Sequence, residues 1–283
     1  MTDRNDVNRT MSADEYSELK KQEKAAVFEL LSEATQKLIS PEGLRAYADK
    51  QAQLFKHSVS NVLLIMEQAP EATWVRSYDD WKADGVTVLK GEKGLMTLGS
   101  YRFQKEDGTM GMGSKVVKMF DVKQTAIRDF DIGSPSYSKV PEAIMNVYPA
   151  AVEVAELPDG ELAHYDPDDR LIRVKEGLDL ATKVFVIARE QATYHLADFH
   201  EVWHEDVRDE ANMAAYILTK HYGFDTPDID FSKSTEKYPG KEEKEVRSQL
   251  GGIKFACDSV DEKVREALEL DRSSRNRDDR DAR

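Results

Sequence analysis

The chain has 283 residues, with 54 Asp and Glu against 40 Lys and Arg, giving a formal net charge of −14. Hydrophobic residues make up 40% and charged residues 33%, a composition suited to one large folded domain or two ordinary ones. Cys257, the single cysteine, excludes an internal disulfide and a cysteine-rich zinc or iron–sulfur site.

No apolar run is long enough to span a membrane, and the opening MTDRNDVNRTMSADE lacks the apolar segment of a secretory signal, so a reducing cytoplasm is expected. The acidity argues at first against nucleic acid, because phosphates repel a negative surface. It is unevenly spread, however: residues 41–130 carry 13 Lys and Arg against 12 Asp and Glu, and residues 86–128 carry 8 against 4. A locally basic face therefore remains open.

Residues 1–11 are expected to lack order. Ser12-Ala13-Asp14-Glu15 reads as a capping box opening an amphipathic helix to about Ile39, and Ser40-Pro41 caps a second helix to about His57. Asn61 to Gln68 is a third helix, ended by Pro70. From Thr73 the pattern turns to strands. TWVRSYDDW holds a short strand and a helical turn, and GVTVLKGEKGLMTLGSYRF alternates around Gly-Glu-Lys-Gly. KEDGTMGMGS is turn-rich, and KVVKMFDVKQT is another strand. Residues 131–140 read as a linker.

A second domain, 141–270, begins with a helix to about Ala155 and continues with a hairpin turning at Asp166-Pro167-Asp168-Asp169. A long helix follows over 179–203, another over 208–222 with Gly223 at its end, and a last one over 241–270. Residues 271–283 are a mixed-charge tail expected to lack order. The fold class is α+β: N-terminal helices packed on a small antiparallel β-meander over 12–130, followed by a mostly helical domain with a β-hairpin.

Lys90, Lys93, Lys115, Lys118 and Lys123 fall on the meander, with Trp74, Trp81, Tyr101 and Phe103 nearby. Sheet-borne lysines contact phosphates without reading sequence, and aromatic rings stack on unpaired bases. The same residues also suit solvated lysines on a half-exposed sheet with tryptophans in its core. Asn61 and Arg76 are candidates for polar contacts beside the lysines, and TMGMGS reads as a hairpin tip.

HSVSNVLLIMEQAPEATWVRSYDDW, GVTVLKGEKG and MFDVKQT resemble, in order and spacing, the N-terminal domain of ArdC/LtrC-type antirestriction proteins of conjugative plasmids and phages. That resemblance implies binding of single-stranded DNA. HYDPDDRLIRVKEG and VRDEANMAAYILTKHYGFDT look like the zincin-like C-terminal domain of the same proteins, and DEANMAA is similar to the E-A-N helix of the ImmA/IrrE metallopeptidase group. There a H-E-x-x-H helix supplies two ligands and a base, and the resemblance implies Glu210 as third ligand.

The pattern then breaks. Aligned on the hairpin, the family motif falls on Arg189-Glu190-Gln191-Ala192-Thr193, where only the Glu remains. Zinc needs neutral imidazoles at i and i+4 on one helix face, and a guanidinium neither deprotonates nor tolerates a dication beside it. The expectation is an inactivated metallopeptidase domain with no catalytic residue and no cofactor, Arg189 pairing with Glu190 or Glu210. A literal H-E-x-x-H stands three helical turns on, about 16 Å along a regular helix, at His200-Glu201-Val202-Trp203-His204. It leaves an alternative: an active zinc peptidase using His200, His204 and Glu210 with Glu201 as base. On one straight helix Glu210 would stand about 80° away from His200. His195 and His221 read as packing or capping residues, and Cys257 as a small core residue.

The expected partner is single-stranded DNA, held so that nucleases are denied it. A second alternative is an acidic decoy that engages a host restriction or defence protein.

Overall fold

The computed structural model describes residues 12–128, 139–145, 151–200 and 207–281, with side chains given to residue 268 apart from those of 198–200. The expected disorder of 1–11, most of the linker 131–140 and the motif residues Glu201 to His204 lie outside them, as does the side chain of His200. The chain divides into two compact units, the first formed by 1–39 with 56–132 and the second by 40–55 with 133–283. The segment 40–55, expected in an N-terminal domain of 12–130, groups with the second unit. Its helix packs on a later helix there, an arrangement that no local signal records.

In the first unit α1 (Ala13–Gln36) opens on the expected capping box, Ser12 accepting from Glu15 N while the Glu15 side chain accepts from Ser12 N. α3 (Val59–Gln68) is capped by Ser58 and buries Val62, Leu63, Leu64 and Ile65. β1 (Val75–Ser77), α4 (Tyr78–Ala83), β2 (Leu95–Gln104) and β3 (Met110–Asp121) follow. The sheet is antiparallel as expected, but its order is β1-β3-β2, so β3 is central instead of last. GVTVLK forms only an isolated bridge, Val88 with Thr125, and the expected turn TMGMGS lies mostly inside β3. The turn proper is shorter, Lys105 N bonding to Thr109 O and Asp107 capping Thr109.

Trp81, Phe120 and Val122 form a core against Trp74, Val86 and Val88. The Trp81 indole donates to Phe120 O at 2.9 Å, and buried Asp121 accepts from the backbone of Thr73, Trp74 and Lys123. Those bonds account for the Asp of MFDVKQT.

Within the second unit α2 (Pro41–Gln53), capped by Ser40, packs on α7 (Arg208–His221). α5 covers only Val140–Ile144, and the helix expected to reach Ala155 is replaced by β4 (Ala151–Ala155), which pairs parallel to β6 (Leu171–Lys175). β5 (Ala163–Asp166) and β6 make the expected hairpin, with Arg170 at φ 51 after its turn. α6 (Leu180–His200) and α7 pack together, and α7 ends on Gly223 at φ 77, with Phe224 N bonding back to Thr219 O. After the short α8 (Ser232–Thr235), α9 runs from Glu243 to Asp281. It continues through much of the tail expected to lack order; that segment contains neither proline nor glycine to stop a helix.

Candidate functional site

The first unit carries the basic stretch. β2 and β3 pair residue for residue from Leu95 with Met119 to Gln104 with Met110, and directly paired residues share a face. One face therefore bears Thr97, Gly99, Tyr101 and Phe103 opposite Val117, Lys115, Gly113 and Gly111. The other bears Arg102 and Gln104 opposite Met112 and Met110, with Lys118 further down. Lys115 and Lys118, expected on one basic surface, leave β3 on opposite faces because three residues is an odd step in a strand.

Lys90 and Lys93 are exposed in the turn before β2, and exposed Lys123 donates to Glu71 O at 3.2 Å. Residues 100 to 110 are all exposed, so the far half of the hairpin stands clear of the core as an arm. Tyr101 and Phe103 are 44% and 41% exposed, whereas Trp81 is fully buried.

Two of the sequence candidates do other work. Asn61 is 7% exposed and spends its amide on the backbone of Leu98, donating to Leu98 O at 3.0 Å and accepting from Leu98 N at 2.8 Å. With both its donor and its acceptor on Leu98, it clamps the edge of β2. Gln68, two turns along the same helix face, repeats the arrangement on Met96, with both bonds at 2.8 Å. Arg76 donates to Asp84 and lies 5.5 Å over the Trp81 ring, so its guanidinium is also engaged.

The second unit gathers the residues that the resemblance places around a metal. Glu190 is 1% exposed. Its Oε1 accepts from Arg189 Nε at 2.8 Å and from Arg208 Nη1 at 2.9 Å, with Arg189 Nη2 at 2.7 Å. Its Oε2 accepts from Tyr165 N at 3.2 Å, and Arg189 Nη2 reaches Ala163 O at 3.2 Å. Thr193 is buried and returns its hydroxyl to Arg189 O. Glu210 is held by Lys237 at 3.0 Å instead of by Arg189.

This donor set does not fit a divalent cation: two guanidiniums already share the one buried carboxylate, Thr193 is turned onto backbone, and an ammonium holds Glu210. Arg208 was not singled out in the sequence. Only its partner, Glu190, 18 positions earlier, could have drawn attention to it. An open cleft of about 630 Å³ lies over this cluster, bounded by Asp159 to Ala163, Arg189, Arg208 and Asn212.

His221 behaves as a packing residue, stacked on Phe55 at 4.0 Å with Nδ1 3.1 Å from Ala52 O. Cys257 is fully buried beside Ala214 O.

An exposed sheet arm in one unit and an arginine-bridged carboxylate on a helix of the other are the two distinctive features of this α+β protein. Residues 17–128 match the N-terminal domain of anti-restriction factor ArdC. Residues 17–128 thus carry an ArdC-type N-terminal domain, and over most of its length the chain has the fold of an ArdC protein.

The antirestriction ArdC protein from the R388 plasmid, in its metal-free crystal structure, covers 84% of this chain and 98% of its own at a TM-score of 0.51 and 16% identity. Its Mn(II)-bound structure gives 0.52 at 15% identity, over 83% and 98%. At such identity the likeness is one of fold. No curated protein matches the chain significantly in sequence.

Proposed function

We propose that this protein is an antirestriction factor that binds single-stranded DNA through the β2–β3 arm, and that its second unit is not a working peptidase. The observation that carries the first part is the arm itself, exposed from 100 to 110, with Arg102, Lys105 and Lys115 along it and its carboxylates, Glu106 and Asp107, confined to the turn at its tip. Cations on a ribbon clear of the core attract a phosphate backbone by counterion release and do not select sequence. Occupancy is the mechanism: a coated strand is denied to nucleases. Affinity for an unlabelled-competitor-sensitive dT oligonucleotide is expected to fall at least tenfold between 50 and 200 mM salt, on the order expected for a few phosphate contacts. Absence of binding at 50 mM salt would overturn the reading and favour the acidic decoy.

The second part is supported by the Arg189–Glu190–Arg208 cluster, which leaves neither a ligand pair nor a free base at the family position. The alternative peptidase built on His200, His204 and Glu210 has one of its three ligands already paired with Lys237. Metal analysis of protein purified without chelator is expected to give less than about a tenth of an equivalent of zinc or manganese, because a nearly equimolar content is what a resident ligand set produces.

A further inference from the structure

We infer that one face of the arm is a stacking platform for two successive unpaired bases, made by Tyr101 and Phe103 on a floor of glycines, with Lys115 on the adjoining phosphate. The inference rests on the reading of the first unit as a DNA-binding unit and says where and how the strand is held.

The register sets Tyr101 against Gly113 and Phe103 against Gly111. A methyl group at Gly113 would come within 2.6 Å of the Tyr101 ring, and one at Gly111 within 2.7 Å of the Phe103 ring. Each ring therefore closes over a glycine, where a side chain would push it aside, and Gly111 is buried although both its neighbours are exposed. One side of each ring is spent on backbone, which fixes it, and the rings remain more than two-fifths exposed. Two fixed, exposed aromatic rings are a surface on which bases stack with little loss of side-chain entropy.

The spacing chooses the ligand. The ring centroids are 6.0 Å apart and tilted by 44°, whereas consecutive bases of a duplex strand rise about 3.4 Å. Bases seated on both rings cannot also stack on each other in duplex fashion, so the platform takes a strand that is already unpaired. Next along the same face come Gly99 and Lys115, paired with each other. Gly99 lies under the Val117 side chain, an apolar floor, and exposed Lys115 supplies the cation. From Leu95 to Phe103 and Gly111 to Met119 this face carries no carboxylate. The opposite face offers Arg102, Met110, Met112 and Lys118, without an aromatic ring.

Rings over cross-strand glycines also protect backbone, and that structural role alone would leave DNA affinity untouched when the cover is aliphatic. The test uses the full chain and a dT oligonucleotide at low salt. Tyr101→Leu and Phe103→Leu keep an apolar cover while removing the aromatic face. Each is expected to weaken binding about tenfold, with the slope of affinity against salt unchanged. Lys115→Ala is expected to reduce that slope by about one and Lys118→Ala to leave it unchanged.

Wild-type binding that survives the Tyr101→Leu, Phe103→Leu pair intact overturns the platform and leaves the DNA reading standing. Failure of the wild-type chain to bind overturns both. Photocrosslinking of a 5-iodouracil oligonucleotide to the wild-type chain needs no variant. Crosslinks at Tyr101 or Phe103 are the expected result, and crosslinks confined to other residues overturn the platform.

Discussion

Each unit contains a strand whose outer edge is closed by side chains instead of by another strand, and the two closures use opposite chemistry. In the first unit the backbone of Met96 and Leu98 on β2 is met by Gln68 and Asn61, each giving one donor and one acceptor. In the second, Lys175 N bonds to Leu162 O, so the backbone of Ala163 and Tyr165 on β5 points away from β6. It is met by Arg189 and Glu190.

An amide reproduces a strand's own donor and acceptor without charge, so it needs nothing further. A carboxylate and guanidinium reproduce the same pair with charge, and a buried carboxylate requires counter-charge beyond one hydrogen bond. Arg208 supplies the rest. Sealing an edge prevents pairing with other chains in both cases, but only the ionic seal stands at the residues to which the sequence resemblance assigned a metal.

The comparison is broken most severely at Glu190. Glu190→Ala is expected to destabilise the second unit by about 3–5 kcal/mol, because it strands two guanidiniums and frees Tyr165 N. Chemical denaturation followed by circular dichroism reads the loss, and a change under 1 kcal/mol would mean the cluster is not load-carrying in folding. Asn61→Ala comes next. Leu98 loses both partners at a part-buried edge, and about 2–3 kcal/mol is expected, insensitive to salt because no charge is involved. If instead Asn61→Ala leaves stability unchanged but weakens DNA binding, the residue belongs to the interface after all.

Arg208→Met is milder, about 1–2 kcal/mol, since Arg189 still pairs with Glu190. Thermal stability also tests the metal. A dication bound at a hundredfold excess over its dissociation constant would add about 2.7 kcal/mol to stability. Neither 1 mM Mn(II) nor Zn(II) is expected to raise the melting temperature of the wild-type chain. A clear rise abolished by Glu210→Ala would show that a divalent ion does find a site there.

What could be read from the sequence follows from how local each signal is. The Ser12–Glu15 box, the Ser40-Pro41 start and Gly223 at the end of α7 are decided by neighbours three or four residues apart, and they stand as expected. That Arg189 and Thr193 are not imidazoles was legible because it is a statement about residue type.

The bonds that Asn61 and Arg208 make were not legible, because their partners are 37 and 18 residues away and are chosen by packing. Strand order failed for a related reason: β1 is too short to record whether it lies beside β2 or β3. The four glycine and methionine positions of TMGMGS read as a turn by propensity, yet they form a strand. There Phe103 and Tyr101 supply, from across the ribbon, the cover that the glycines lack.

The smallest effect separates a packed thiol from a reactive one. Cys257 lies fully buried on α9, and burial pushes its thiol well above the usual range, against the pull of nearby Lys254. The neutral form is the one the fold accepts. Its contribution is therefore complete below the ordinary thiol pKa of about 8.5 and declines as pH rises beyond it, because only the unfolded chain then gains from ionising. At pH 8 the native chain is expected to resist a disulfide reagent that labels the unfolded chain within minutes, a difference of at least a hundredfold in rate at the order of magnitude set by rare opening. Rapid labelling of the native chain would mean that α9 leaves the second unit readily. In that case the edge closed by Arg189 and Glu190, and not the helix packing, would be what holds that unit together.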